Sequence, residues 1–156
     1  MRRLILWALT HGIALAAGFA LGIYMLPILT APPSPDTAKL EAMAKDAVFK
    51  AEFTRELRGS DFLHWGEGTV SLTRKQIVHN GRLAPGPDYM VYLLPEFVEH
   101  EDEFLQIKGK SQVIGPVKTF EGFILDMPEG VNAEDYTTVL VWCEAFSEFI
   151  TAAKYR

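Results

Sequence analysis

Cys143 is the only cysteine in this 156-residue chain. A thiol can cross-link, ligate a soft metal or carry redox chemistry as its thiolate. With no second cysteine, an internal disulfide and a dithiol cycle within one chain are both excluded. Sulfenic chemistry, a mixed disulfide with a partner, ligation to a metal centre and plain burial as a small hydrophobe remain, the last being a common fate of free cysteine. Covalent c-type haem is also excluded, because no C-x-x-C-H is present.

Other clusters carry weaker signals. "EFVEHEDEF" surrounds His100 with Glu99, Glu101, Asp102 and Glu103, oxygen ligands in principle for a divalent cation. Its spacing follows no metal-binding motif, and it reads as a solvated acidic loop. "KGKS" at 108–111 ends like a phosphate loop, yet Phe104 stands where such a loop needs glycine, so it reads as a turn. His79 in "IVHNG" precedes a tight-turn signal and reads as a strand-end residue. No H-E-x-x-H, G-x-S-x-G or G-x-G-x-x-G occurs and no paired-carboxylate spacing supports a carboxylate enzyme, so no catalytic motif is complete. The formal charge is −5 with no Lys/Arg cluster, which argues against nucleic acid as a partner, because phosphate binding draws on grouped cations.

The elements that must position Cys143 are short. From about Phe49 the chain reads as apolar or alternating runs, "GTVSLTR", "QIVHN", "DYMVYLLP", "FLQIKG", "KTFEGFILD", "TTVLVWCEAF" and "FITAAKY", punctuated by "NGR", "PGPD", "KGKS" and "MPEGVNAED". That texture predicts an all-β domain, a β-sandwich or partly closed barrel, over 49–156. Within "TTVLVWCEAF", alternation puts Thr137, Val139, Val141 and Cys143 on one face and Thr138, Leu140, Trp142 and Glu144 on the other. Both faces are apolar, the pattern of a central strand with Cys143 inward at its end. "PGPD" reads as a rigid turn with an Asx-type bond from Asp88. Trp65 and Trp142 read as core or rim packing, with Trp142 placed to flank a bound aromatic cofactor.

The amino terminus differs from all of this. Arg2 and Arg3 precede an uncharged, mostly apolar run from Leu4 to about Ala31. It is longer than the roughly 7 to 15 residues of a secretory core and meets the roughly 20 that span a bilayer. Pro32 after Ala31 disfavours cleavage, so 1–31 is expected to be an uncleaved signal anchor, a single transmembrane helix in the plasma (inner) membrane. The positive-inside rule keeps its N-terminus cytoplasmic and sends the rest to the periplasm or cell exterior. Pro27 is expected to kink or end the helix, His11 reads as one tolerated polar residue, and the Gly18/Gly22 spacing as a chance product of composition. "APPSPD" is a stiff spacer, and a short amphipathic helix capped by Asp36 or Thr37 completes 32–48.

Three pieces of the exported part stand in a familiar order: "DFLHWGEGTVSL", "PGPDYMVYLLP" and "YTTVLVWCEAF". Over about 62–155 the chain resembles the DM13 family, which pairs an early His, a "GPD" turn leading into a strand, and a late Trp-Cys strand. The resemblance implies a β-sandwich in an electron-transfer system at the cell surface, working with a redox partner protein. It implies a cysteine acting as a naked redox thiol or as ligand to a prosthetic group such as haem. By position that role falls on Cys143, and His64 stands in the early motif as the second ligand. The alternative from the residues themselves is a non-catalytic binding or assembly module, tethered to the membrane, whose Cys143 is structurally buried.

Overall fold

The computed structural model describes residues 1–156. Helix α1 (Arg2–Thr30) is long and apolar enough to cross a membrane, a property that signal sequences share. None of its residues is buried. It runs through Pro27 rather than ending there, and stops only where Ala31 meets Pro32 and Pro33, since a residue before proline is driven out of the helical region. Helix α2 (Thr37–Met43) is capped by Asp36, whose carboxylate accepts the Lys39 N–H at 2.7 Å. Its buried Leu40 pins it to the domain.

Eight strands follow: β1 (Phe49–Phe53), β2 (Gly66–Leu72), β3 (Gln76–Leu83), β4 (Tyr89–Leu94), β5 (Gln112–Val117), β6 (Phe123–Asp126), β7 (Thr138–Cys143) and β8 (Glu148–Lys154). They form two antiparallel four-stranded sheets, ordered β1-β2-β3-β6 and β5-β4-β7-β8. Alternate residues of both sheets meet in one core, among them Val70, Ile77, Val91, Val139, Val141 and Ile150. Phe49 on β1 lies 5.1 Å from Tyr155 after β8, ring to ring, and β5 neighbours β6, so the sheets approach at both edges.

Two strands escape the sequence reading. β1, "FKAEF", presents Phe49, Ala51 and Phe53 to the core but is hidden behind the α2 pattern. β5, "QVIGPV", carries Pro116, which is tolerated because β5 is an edge strand and can forgo one ladder donor.

Two expectations are corrected. "NGR" is no turn: β3 runs on through Asn80 and Gly81 to Leu83, pairing Gly81 with Gly68. The pairing needs bare backbone, since a Cβ on Gly81 would lie 2.0 Å from the Glu67 carbonyl oxygen. His79 is therefore a fully buried mid-strand residue, not a strand end.

The second correction concerns 99–107. The acidic stretch is not a loop and "FLQI" is not a strand; they form helix α3 (Glu101–Ile107), begun by His100, whose Nδ1 accepts the Asp102 N–H at 3.4 Å. Glu101, Asp102 and Glu103 occupy its first turn, where the helix dipole favours negative charge. Phe104 and Ile107 face the second sheet and build a second core with Leu94, Leu140, Trp142 and Phe149. This covering explains why every residue of β7 is buried on both faces.

A polar latch fastens that helix. Glu144 accepts from Lys108 Nζ at 2.6 Å and from the Tyr92 hydroxyl. Partial burial acts to raise the Glu144 pKa, but Lys108 and Tyr92 outweigh it and hold the carboxyl below its usual range. Glu144→Gln keeps the shape and removes the charge. It is expected to weaken the docking of α3 by about 1 kcal/mol, read as faster amide exchange in α3 with little change in β1–β3; unchanged exchange in α3 would count against the latch.

Candidate functional site

Cys143 ends β7 directly opposite Tyr89, the first residue of β4. Both side chains enter the inter-sheet core, as alternation requires, while Glu144 and Trp142 turn to the α3 side. The turn at 85–88 lies over the thiol: Sγ–H donates to the Pro87 carbonyl at 3.1 Å. Asp88 holds this turn through its backbone, with φ 54° and a carbonyl accepting the Glu144 N–H at 3.0 Å; the Asx-type bond expected from its side chain does not form. Gly86 is needed beside it, because a Cβ there would sit 2.3 Å from the Tyr89 hydroxyl.

Burial leaves Cys143 3% exposed. It pushes the thiol pKa up, against the backbone N–H groups of Phe146 and Ala145, while the Asp88 and Glu148 carboxylates add to the rise. The protonated thiol is thus the resting form at neutral pH, consistent with its donation to Pro87. A naked thiolate nucleophile is disfavoured here, whereas a metal, which displaces the proton on binding, is not.

His64 belongs to the loop between β1 and β2. Asp61 organises that loop by accepting the N–H groups of Leu63 and His64, at 2.7 and 2.8 Å, through Oδ1. Its Oδ2 lies 3.0 Å from His64 Nδ1. Burial works to raise the Asp61 pKa, but the bonds from His64 and the two backbone donors prevail and lower it. An ionised Asp61 takes the Nδ1 proton as its partner, which leaves Nε2 as the ring nitrogen without a protein contact. This is the arrangement that orients a ligating histidine.

Cys143 and His64, remote in sequence, line the same cavity of about 350 Å³. Tyr89, Gly86, Pro87 and Ile150 form its floor and flank, Leu63 and Phe146 its rim, and Ala20, Ile23 and Tyr24 of α1 its remaining wall. Tyr89 was not legible as a site residue beyond its position immediately after "GPD", and Tyr24, expected from the sequence as an interfacial anchor of the helix, lines the cavity as well. Burial, with Cys143 and Tyr24 nearby, raises the Tyr89 pKa well above that of a free phenol.

The remaining candidates lie elsewhere. Trp142 packs on Phe104 at 4.7 Å on the far side of β7, so it cannot flank a group bound at Cys143. Its Nε1 lies near Glu144 but outside hydrogen-bonding geometry. Trp65 carries the Arg55 guanidinium 3.3 Å above its ring, and Arg55 grips Glu67 through two bonds of 2.6 and 2.9 Å. His100 serves as a helix cap, and His11 bonds the Trp7 carbonyl within its own helix at 2.8 Å. No group of three or more His, Cys, Asp and Glu side chains is arranged to hold a metal ion. The cavity therefore offers two such side chains, Cys143 and His64, short of the four that a structural zinc site takes.

The family description "electron transfer DM13" matches residues 56–155, which takes in β2 to β8 and both His64 and Cys143. No curated protein matches the chain, and no solved structure does.

Proposed function

Because the chain belongs to the DM13 electron-transfer family, we propose that it is an anchored redox accessory whose working site is the cavity shared by Cys143 and His64. In this reading 1–31 is a single-pass signal anchor in the plasma (inner) membrane with its N-terminus cytoplasmic. Residues 32–48 are spacer and helix, and 49–156 a β-sandwich in the periplasm or cell exterior, meeting a redox partner protein there. The observation that carries it is the convergence of the chain's only thiol and an Asp61-oriented imidazole on one largely apolar cavity. A prosthetic group such as haem would be held by Cys143 as thiolate and His64 through Nε2, and would supply one-electron chemistry. The protein's own part is to orient His64 through Asp61, to keep water from the sulfur, and in the unligated state to hold the Cys143 thiol proton against the accepting Pro87 carbonyl.

The test is a visible spectrum of the gently purified full chain with a thiol titration before and after unfolding. A Soret band lost in Cys143→Ser, or a thiol that reacts while the protein is folded, supports the reading. A colourless protein whose thiol titrates only after unfolding rejects it.

A second reading draws on the burial of Cys143 and its bond to Pro87: a tethered binding module with a structural cysteine. It predicts that Cys143→Ala costs about 1 to 2 kcal/mol of stability and leaves co-purifying partners unchanged; loss of those partners would refute it.

A further inference from the structure

The cavity at Cys143 has a rim that water does not suit. Phe62 is 91% exposed, Phe146 52% and Leu63 48%. Leu63 and Phe146 border the cavity itself, on the loops before β2 and after β7. Clustered apolar exposure of this kind marks an interaction surface, and what stands beside it is α1, which supplies Ala20, Ile23 and Tyr24 to the same cavity.

The length of α1 places that wall. Its 29 residues extend about 43 Å at 1.5 Å each, whereas the hydrocarbon core is about 30 Å thick and takes about 20 residues. Counting from Leu4, the first residue after Arg2 and Arg3, the bilayer ends near Ile23 and Tyr24. The cavity wall and the apolar rim therefore stand at the outer boundary of the hydrocarbon.

The interior is apolar but not inert. Tyr89 is buried, and its hydroxyl has no hydrogen-bond partner in the protein. Tyr24 of the helical wall lies near Tyr89, while His64 Nε2, with the ring proton on Nδ1, presents a lone pair and no donor. An acyl chain filling this space would cover the Tyr89 hydroxyl and leave it unpaired, at a cost. No Lys or Arg lines the cavity to receive an anionic ligand, and a polar carrier from water would have to pass the apolar rim.

We propose that the cavity opens onto the outer leaflet and receives the ring of a lipophilic quinone, its carbonyl oxygens meeting the hydroxyls of Tyr89 and Tyr24. The proposal rests on the reading of α1 as an anchor and of the domain as an electron-transfer module, and it takes the quinone ring, in place of a prosthetic group held by Cys143 and His64, as the occupant of the cavity. A quinone answers each feature: a tail soluble in lipid, a flat ring for the apolar walls, and two acceptors for otherwise idle donors.

The experiment uses the full chain in nanodiscs of phosphatidylethanolamine and phosphatidylglycerol, titrated with decylubiquinone. Saturable binding of one quinone per chain is expected. Tyr89→Phe removes one donor and weakens it about tenfold. Ala20→Trp, on the helix and outside both sheets, blocks the cavity and abolishes it, with the thermal unfolding of the domain unchanged. Non-saturable partitioning equal in all three proteins overturns the proposal, as does equal displacement by tetradecane, which has no head group. Failure of the underlying reading is distinguishable: a chain recovered cut near Pro32 removes the anchor and the proposal together. Saturable quinone binding by a colourless, thiol-inert protein keeps the quinone site and rejects only the redox role of Cys143.

Discussion

Trp142→Ala lowers the unfolding free energy by about 3 to 5 kcal/mol, the cost of deleting a fully buried large aromatic and leaving a cavity. Trp142 is wholly buried between β7 and α3, packed on Phe104 at 4.7 Å, with the Lys108 ammonium 5.4 Å from its ring. It is paired with Phe149 on β8 and with Met90 on β4, so α3, β4 and β8 lose contact at once. The check is chemical denaturation of the full chain in micelles, followed by far-UV dichroism because the mutation removes a fluorophore. A loss under 1 kcal/mol would mean that α3 does not cover this sheet in solution. The neighbouring Cys143 faces the other core, so Trp142→Ala is also expected to leave its thiol or cofactor behaviour unaltered. Adjacent residues on one strand thus carry separable duties, stability on the α3 side and chemistry on the inter-sheet side.

Acid should uncover a second large effect, through His79. Its Nε2 donates to the Glu67 carbonyl at 3.0 Å, its Nδ1 has no partner, and its ring lies about 5 Å from those of Phe53 and Phe123. Burial lowers its pKa from 6.5 to about 4, against the pull of the Glu67 carbonyl. The sign follows directly. Between those two values the unfolded chain binds a proton that the folded chain refuses, so stability falls as pH drops from about 6.5 and levels off near 4, a total of about 3 kcal/mol. The carboxylates with lowered pKa, Asp61, Glu67, Glu103 and Glu144, lose their contributions only as pH falls through their own, lower range. His79→Gln, which does not titrate, should flatten the stability curve between pH 6.5 and 5 whatever its absolute stability. A slope in that window equal to the parent's would exclude His79 as the source.

How much of this was legible beforehand depends on the range over which each pattern acts. Alternation is a property of neighbours along one strand, and it assigned Val139, Val141 and Cys143 to one face of β7 and Leu140 and Trp142 to the other, as found. The apolar run of α1, the Asp36 cap and the order of the family's three motifs are equally local. "FLQI" was not decidable: four apolar or neutral residues fit a strand or one helical turn, and only the exposed outer face of β4, β7 and β8, which needs a cover, makes them helical. "NGR" carried an honest turn signal that lost to a strand register in which Gly68 and Gly81 let two backbones close up around His79.

The site divides the same way. The sequence by itself determined that there is one thiol, that it points inward at the end of a central strand, and that a rigid "GPD" turn lies somewhere before it. Tertiary structure alone decided that this turn's Pro87 carbonyl accepts from that thiol, that His64 and Tyr89 share its cavity, and that the C-terminal half of α1 forms the last wall. Those neighbours are set by strand order and loop closure, which bring together residues too far apart along the chain for any local periodicity to couple them.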